Sequence, residues 1–147
     1  MDVEKLREEL ERDEGCVYNI YLDHLGYRTF GIGHLVRESD PENGLQVGAM
    51  VSEDRVKEAF ESDINTVLRD CNKLYSDFHY LPEEAQRVIA NMMFNLGYPR
   101  YSKFKLMIKG IKDKNYDEAA KQMKQSRWYN QVTNRAERLI ERMKKVG

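Results

Sequence analysis

From Pro82 to Pro99 the sequence carries the pattern that most limits the fold. Ala85, Val88, Ile89, Met92, Met93 and Leu96 recur at helical spacing, Pro82 opens the run, and Gly97 with Pro99 closes it. Such a helix must be covered by other elements, and the remaining sequence offers mainly helices to do it. Short helical segments follow at about 101–111, 117–124 and 136–143. Asn134 is the expected cap of the last. A buried central helix inside a helical cluster is therefore the expected C-terminal architecture.

The N-terminal part follows a different rhythm. Val3, Leu6 and Leu10 mark a first helix over about residues 3–13, stopped by Gly15. From Cys16 to Leu35 the stretches VYNIY and YRTFGI flank a turn containing Asp23, His24 and Gly26, which predicts an antiparallel hairpin. Asp40-Pro41 and Asn43-Gly44 then signal turns, leaving residues 37–50 as a loop or a third short strand. Ser52 is placed to cap a long helix whose stripe is Val56, Phe60, Ile64, Val67 and Cys71. The expected fold is α+β and predominantly helical. It is a single domain over 1–147, with an N-terminal lobe at about 14–52, a connecting helix at about 53–72 and an all-helical C-terminal lobe at about 73–147. Helix 1 is expected to pack on the C-terminal lobe.

Composition narrows the function classes. With 147 residues, 41% hydrophobic and only 3 prolines, the chain can bury a core without metal or disulfide support. The opening MDVEKLREELERDEG is charged throughout, so no export signal is expected, and no later stretch approaches a membrane span. Cys16 and Cys71 have neither the spacing nor the neighbours of a zinc site and are expected as reduced thiols. Neither metal nor cofactor is expected. Residues 1–99 hold 10 Lys and Arg against 20 Asp and Glu, whereas residues 100–147 hold 14 against 5. That asymmetry fits a basic C-terminal surface able to meet an anionic polymer, and it also fits solvated helix faces.

Two carboxylates stand out. Glu14 lies four residues beyond Leu10 and eight beyond Leu6, so a continuing helix aims it along the buried stripe. There, desolvation and the negative helix end would raise its pKa, as a general acid requires. A glutamate at a frayed helix end that bends into solvent fits the same pattern and, taken alone, is the commoner case. Asp23 sits in the hairpin turn, where polar surroundings favour the ionised form, although turn aspartates are common. Together they have the unlike environments that glycoside hydrolysis asks of its two carboxyl groups.

The strings R-D-E-G at 12–15, Y-x-D-x-x-G-Y-x-T-x-G-I-G-H from Tyr21 to His34, N-M-x-F-x-x-G from Asn91 to Gly97, D-E-A-A from Asp117 to Ala120, and S-R-W-Y-N-Q followed by N-R-A from Ser126 to Ala136 resemble one family. It is the phage lysozymes of glycoside hydrolase family 24, in the T-even phage endolysin branch. The resemblance covers nearly the whole chain and implies a lysozyme-like fold. It also implies Glu14 as general acid, Asp23 as the catalytic carboxylate on the other side of the sugar, and Thr29 as the hydroxyl that positions the attacking water, with inversion. Cleavage of the β-1,4 bond between N-acetylmuramic acid and N-acetylglucosamine follows from it. So does a location in the host cytoplasm until release to the wall.

The same resemblance places Leu35 and Phe94 along the sugar-binding surface, and puts Met107 and Gln122 where the family has serine and asparagine. Phe94 also reads as core, as do Trp128 and Tyr129. Arg135, in the N-R-A string, is expected beside the acid. His34 reads as structural, because three scattered histidines give no ligand cluster. Asp63 falls within the long helix's apolar stripe and needs a partner, for which His34 is the candidate. Gly31 and Gly33 lack the helix of a nucleotide loop and read as points of close backbone packing. The expected partner is bacterial peptidoglycan, engaged by a monomer without nucleic acid or stable membrane insertion. Arg135, Arg138, Arg142, Lys144 and Lys145 also permit a basic helix that meets membrane or nucleic acid, but Ala136, Leu139, Ile140 and Met143 read more simply as its core face. Two other readings stay open. One is a lytic transglycosylase-like or chitin-directed relative, and the other is an inactive or weakly active wall-binding or tail-associated module of the same fold.

Overall fold

The computed structural model describes residues 1–146. Helices α1 (Val3–Glu14), α2 (Glu53–Leu74), α3 (Glu83–Leu96), α4 (Tyr98–Tyr101), α5 (Lys105–Lys112), α6 (Tyr116–Lys124), α7 (Arg127–Gln131) and α8 (Thr133–Val146) accompany strands β1 (Val17–Leu22), β2 (Arg28–Gly31) and β3 (His34–Leu35). The fold is α+β, predominantly helical and lysozyme-like. The chain divides into two compact units, one of residues 7–66 and one of residues 1–6 with 67 onward. The division cuts α1 between Leu6 and Arg7, and α2 between Thr66 and Val67.

In the unit of residues 7–66, β1, β2 and β3 form an antiparallel sheet in sequence order. Leu10 of α1, Ile20 and Phe30 of the sheet, and Val56 and Phe60 of α2 are all buried, and Val56 lies against Gly31 of β2. Arg7 grips the Glu61 carboxylate, fixing α1 to α2 and holding that carboxyl below its usual pKa. Ser52 caps α2 by accepting from the Arg55 N–H at 3.1 Å. The expected strand YRTFGI is shorter than its sequence pattern. Gly31 and Gly33 both adopt the left-handed backbone, so the chain turns there and returns as β3. Residues 37–50 hold a 3-10 turn at Pro41–Gly44 and a bridge from Met50 to Asn19 on the outer side of β1.

The other unit is built around α3, whose Ala85, Val88, Ile89, Met92 and Met93 are almost wholly buried. Leu139, Ile140 and Met143 of α8 join that core. The helix expected at 101–111 begins instead at Lys105. Pro99 lies in the first turn of α4, which ends at Tyr101, and Tyr101 is held in place by a 2.7 Å bond between its hydroxyl and that of Tyr75. Asn134 is not a cap, since α8 begins one residue earlier at Thr133. Asn115 caps α6 and Ser126 caps α7, each accepting a backbone N–H. Gly110 lets α5 approach α6, because a Cβ there would sit 3.1 Å from the Ala119 nitrogen. No helix among the described residues is long and apolar enough to cross a membrane.

Candidate active site

Glu14 is the last residue of α1, and Gly15 ends the helix with φ +75° while donating its N–H to Glu11. Leu6 and Leu10 are fully buried, so the same helix face that anchors α1 carries the half-buried Glu14 inward. Its carboxylate lies against the Gly33 backbone. Glycine suits the φ of +64°, and a Cβ at Gly33 would fall 2.6 Å from Oε1, so any other residue would push the Glu14 carboxylate aside. Gly31 similarly admits Val56, whose Cγ1 would be 3.0 Å from an added Cβ.

Asp23 occupies the β1–β2 turn. Its N–H donates to the Tyr27 carbonyl, its carbonyl accepts from Gly26, and its Oδ1 accepts the N–H groups of Leu25 and Tyr27 at 2.9 Å each. This is an aspartate using one carboxylate oxygen to close its own turn. Among the described residues Oδ2 accepts no hydrogen bond, so one oxygen is fixed and the other is open.

Thr29 lies in β2 directly opposite Tyr21 of β1, and is buried. Its hydroxyl donates to the Tyr27 carbonyl at 2.9 Å. A hydroxyl has one proton and two lone pairs, so with its proton committed Thr29 can only accept from a further group such as water. Tyr21 shares a strand face with Asp23 two residues on. Its phenol is pushed above its ordinary pKa by burial, and also by the charges of Glu14 and of Asp23. Tyr21 is thus a neutral hydroxyl within the electrostatic reach of both carboxylates. Sequence reasoning quoted it only as part of a string. Period-two parity with Asp23 and pairing with Thr29 are the signals that point to it.

The support residues fall in two places. In the 7–66 unit, His34 Nδ1 lies 2.7 Å from Asp63 Oδ2 and His34 Nε2 lies 2.8 Å from Asp40 Oδ2. Carboxylates only accept, so both ring nitrogens donate and the ring is an imidazolium. Burial opposes that charge, but the bonds and charges of Asp63 and Asp40 outweigh it and raise the His34 pKa above 6.5. Asp40 is lowered despite its partial burial, because the Arg37 N–H, His34 and Arg55 all favour its ionised form. Arg55 also grips Glu42 through Nε and Nη2, at 2.9 Å each. Asp40-Pro41 reads in sequence as a turn signal alone, since nothing local shows its carboxylate reaching His34.

In the other unit Arg135 is buried on α8, and its Nε donates to Asn91 Oδ1 of α3 at 2.9 Å. Phe94 is half-buried on α3 and Gln122 is half-buried on α6, where its amide donates to Glu118. Met107 is a core residue, 1% exposed. Trp128 is buried and donates through Nε1 to Asn95 at 2.7 Å, while the Tyr129 hydroxyl donates to Glu137. Leu35 is exposed on β3. Cys16 and Cys71 are free thiols, the latter pushed up in pKa by burial. Among the described residues no group of three or more His, Cys, Asp or Glu could hold a metal ion.

The model of the family described as phage lysozyme matches residues 11–145. This chain is a member of the phage lysozyme family. That matched span contains Glu14, Asp23 and Thr29 as well as Asn91 and Arg135. The chain is 31% identical to Probable T4-type lysozyme 1 of Dictyostelium discoideum, over 94% of this chain and 92% of that protein. It is 28% identical to the Pre-baseplate central spike protein Gp5 of Enterobacteria phage T4, over 91% of this chain and 26% of that protein. It is also 28% identical to Peptidoglycan hydrolase gp36 of Pseudomonas phage phiKMV, over 97% of this chain and 15% of that protein.

Proposed function

We propose that this chain is a peptidoglycan hydrolase that cleaves the β-1,4 bond between N-acetylmuramic acid and N-acetylglucosamine, with inversion at the anomeric carbon. The reading rests most on one arrangement. Glu14 ends α1 against a glycine, Asp23 closes a hairpin turn with one oxygen left open, and both charges act on the phenol of Tyr21, the residue paired with Thr29 across the sheet. In this mechanism Glu14 gives its proton to the leaving glycosidic oxygen as the C–O bond breaks. A water accepted by Thr29 Oγ1 attacks from the opposite side, and Asp23 Oδ2 takes the proton that this water loses. Leu35, Phe94 and Gln122 are assigned to substrate, and Arg135 to the support of Glu14. The protein acts as a monomer and needs no cofactor. It is held in the host cytoplasm until it reaches the wall.

Turbidity clearing of purified peptidoglycan by wild type, Glu14→Gln and Asp23→Asn tests the assignment. Each variant should be slower by at least about a hundredfold, the usual scale of general acid–base help. Near-normal clearing by either variant overturns it, and the anomer first released distinguishes inversion from retention. The match to a baseplate spike protein favours a second reading, a tail-associated module of weak activity. Wild-type protein that binds sacculi without releasing reducing ends would establish that reading instead.

A further inference from the structure

The two units differ sharply in charge. Residues 7–66 hold 6 Lys and Arg against 14 Asp and Glu, while the rest of the chain holds 18 against 11. Some cations are held in ion pairs, such as Arg87 with Glu83 and Glu84, Lys109 with Asp113, and Lys114 with Asp77. Three others converge on a groove of about 220 Å³ lined by Asp117, Ala120, Lys121, Lys124 and Gln125 of α6 and its cap, together with Lys144 of α8. All three lysines are exposed. Among the described residues none of their ammonium groups makes a hydrogen bond or an ion pair, and Lys124 rests over the Tyr129 ring with Nζ 6.0 Å from its centre.

We propose that this groove is an anchoring site for the phosphodiester groups of an anionic bacterial wall polymer, held by Lys121, Lys124 and Lys144. The chemistry of the lining selects the partner. Ammonium groups are compact point charges that suit phosphate, and the lining has no arginine fork of the kind that grips a planar carboxylate. No aromatic ring lines the groove, so a single-stranded nucleic acid finds nothing on which to stack its bases. Ala120 is its only apolar side chain and is buried, so a lipid surface finds no apolar face to enter. A site of this kind would counter the repulsion between the strongly acidic unit that carries Glu14 and Asp23 and an anionic wall. The inference rests on the hydrolase reading for its choice of polymer.

The test measures retention on sacculi carrying covalently attached polyol-phosphate chains and on the same sacculi after hydrofluoric acid has removed those chains. The protein carries Glu14→Gln so that the wall is not consumed. Lys121→Gln, Lys124→Gln and Lys144→Gln together should weaken retention on intact sacculi about tenfold at low salt. They should also flatten its log–log salt dependence by about two, given roughly 0.7 per lost phosphate contact. Retention on stripped sacculi should stay unchanged. Lys103→Gln, Lys105→Gln and Lys112→Gln together make the same charge change elsewhere and should have little effect. Equal weakening by the two triple variants would reduce the groove to general electrostatics and overturn the proposal. It also fails if the groove variant loses thermal stability while keeping its retention, because the lysines then serve only the helix ends. Stronger retention on DNA than on intact sacculi would reject the wall polymer as the partner. Cleavage of stripped sacculi is read separately with Glu14 intact, so failure of the hydrolase reading appears there and failure of the groove appears in retention.

Discussion

Gly33 and Glu14 are in contact where a methyl group on Gly33 would have to push the carboxylate away, sitting 2.6 Å from Glu14 Oε1. The carboxylate and the turn between β2 and β3 therefore occupy complementary space. Gly33→Ala should displace Glu14 and strain a backbone at φ +64°, a strain that costs about 1–2 kcal/mol. Gly31→Ala imposes the same strain at φ +63° but meets Val56 instead. Both variants should lose thermal stability, and Gly33→Ala alone should lose about a hundredfold in kcat, the scale of a catalytic group moved by an ångström. Equal kcat in the two variants would show that the contact does not position the acid.

Thr29 offers a second separation of roles. Its proton goes to the Tyr27 carbonyl, so the function proposed for it is to accept from water. Thr29→Ser keeps that acceptor and should retain most activity. Thr29→Val removes it and should lower kcat by at least about tenfold with KM little changed, since an interaction made only as water attacks acts on kcat. A Thr29→Val enzyme with normal kcat would assign the residue to the sheet alone.

The sequence shows these positions unevenly, for physical reasons. Glu14 stands out by helical spacing and Asp23 by its place in the hairpin turn, both local signals, whereas Thr29 is singled out by the family resemblance, with which strand parity agrees. His34 and Asp63 could be paired because an acidic residue in an apolar stripe demands a partner. Asp40 was hidden, because which way a loop carboxylate reaches depends on the path of the loop. The split of residues 101–111 into two helices was equally hidden, since the 2.7 Å Tyr75–Tyr101 bond is made across 26 residues of chain. Asn91 was visible as part of a string, but its bond to Arg135 spans 44 residues and leaves no local signal.

That bond gives a third prediction. Arg135 is 7% exposed and donates Nε to the Asn91 side chain, which is itself fully buried. Asn91→Leu takes an acceptor from a buried cation and should destabilise the fold by about 1.5–3 kcal/mol, the scale of hydrogen bonds to charged groups. Urea denaturation reads the loss as a lower midpoint at unchanged slope. An unaltered midpoint would mean that the guanidinium is satisfied without Asn91.

The last prediction concerns the imidazolium of His34, sandwiched between Asp63 and Asp40 and only 4% exposed. Its folded pKa is raised, so the stability it contributes is complete below about pH 6.5 and is lost as pH climbs through the raised folded value. The folded pKa of Asp40 is lowered, so its contribution is complete above about pH 3.9 and is lost as pH falls through the lowered folded value. Both contributions are therefore whole between about pH 4 and 6.5. His34→Asn should cost about 3–5 kcal/mol in that window, the scale for breaking a buried pair, and less at alkaline pH, where wild type also loses the charge. Asp40→Asn should cost most above the window's acid edge and little well below it. Thermal unfolding of the two variants from pH 3 to pH 10 reads both limbs. Arg37 Nη2, 3.6 Å from Asp63 Oδ1, remains in either variant and sets a floor that does not titrate with His34. The decisive measurement is a double-mutant cycle of His34→Asn with Asp63→Asn at pH 5 and pH 9. Coupling that is large at pH 5 and smaller at pH 9 follows from a charged pair, whereas additive losses at both pH values would show that the two residues, though 2.7 Å apart, do not stabilise one another.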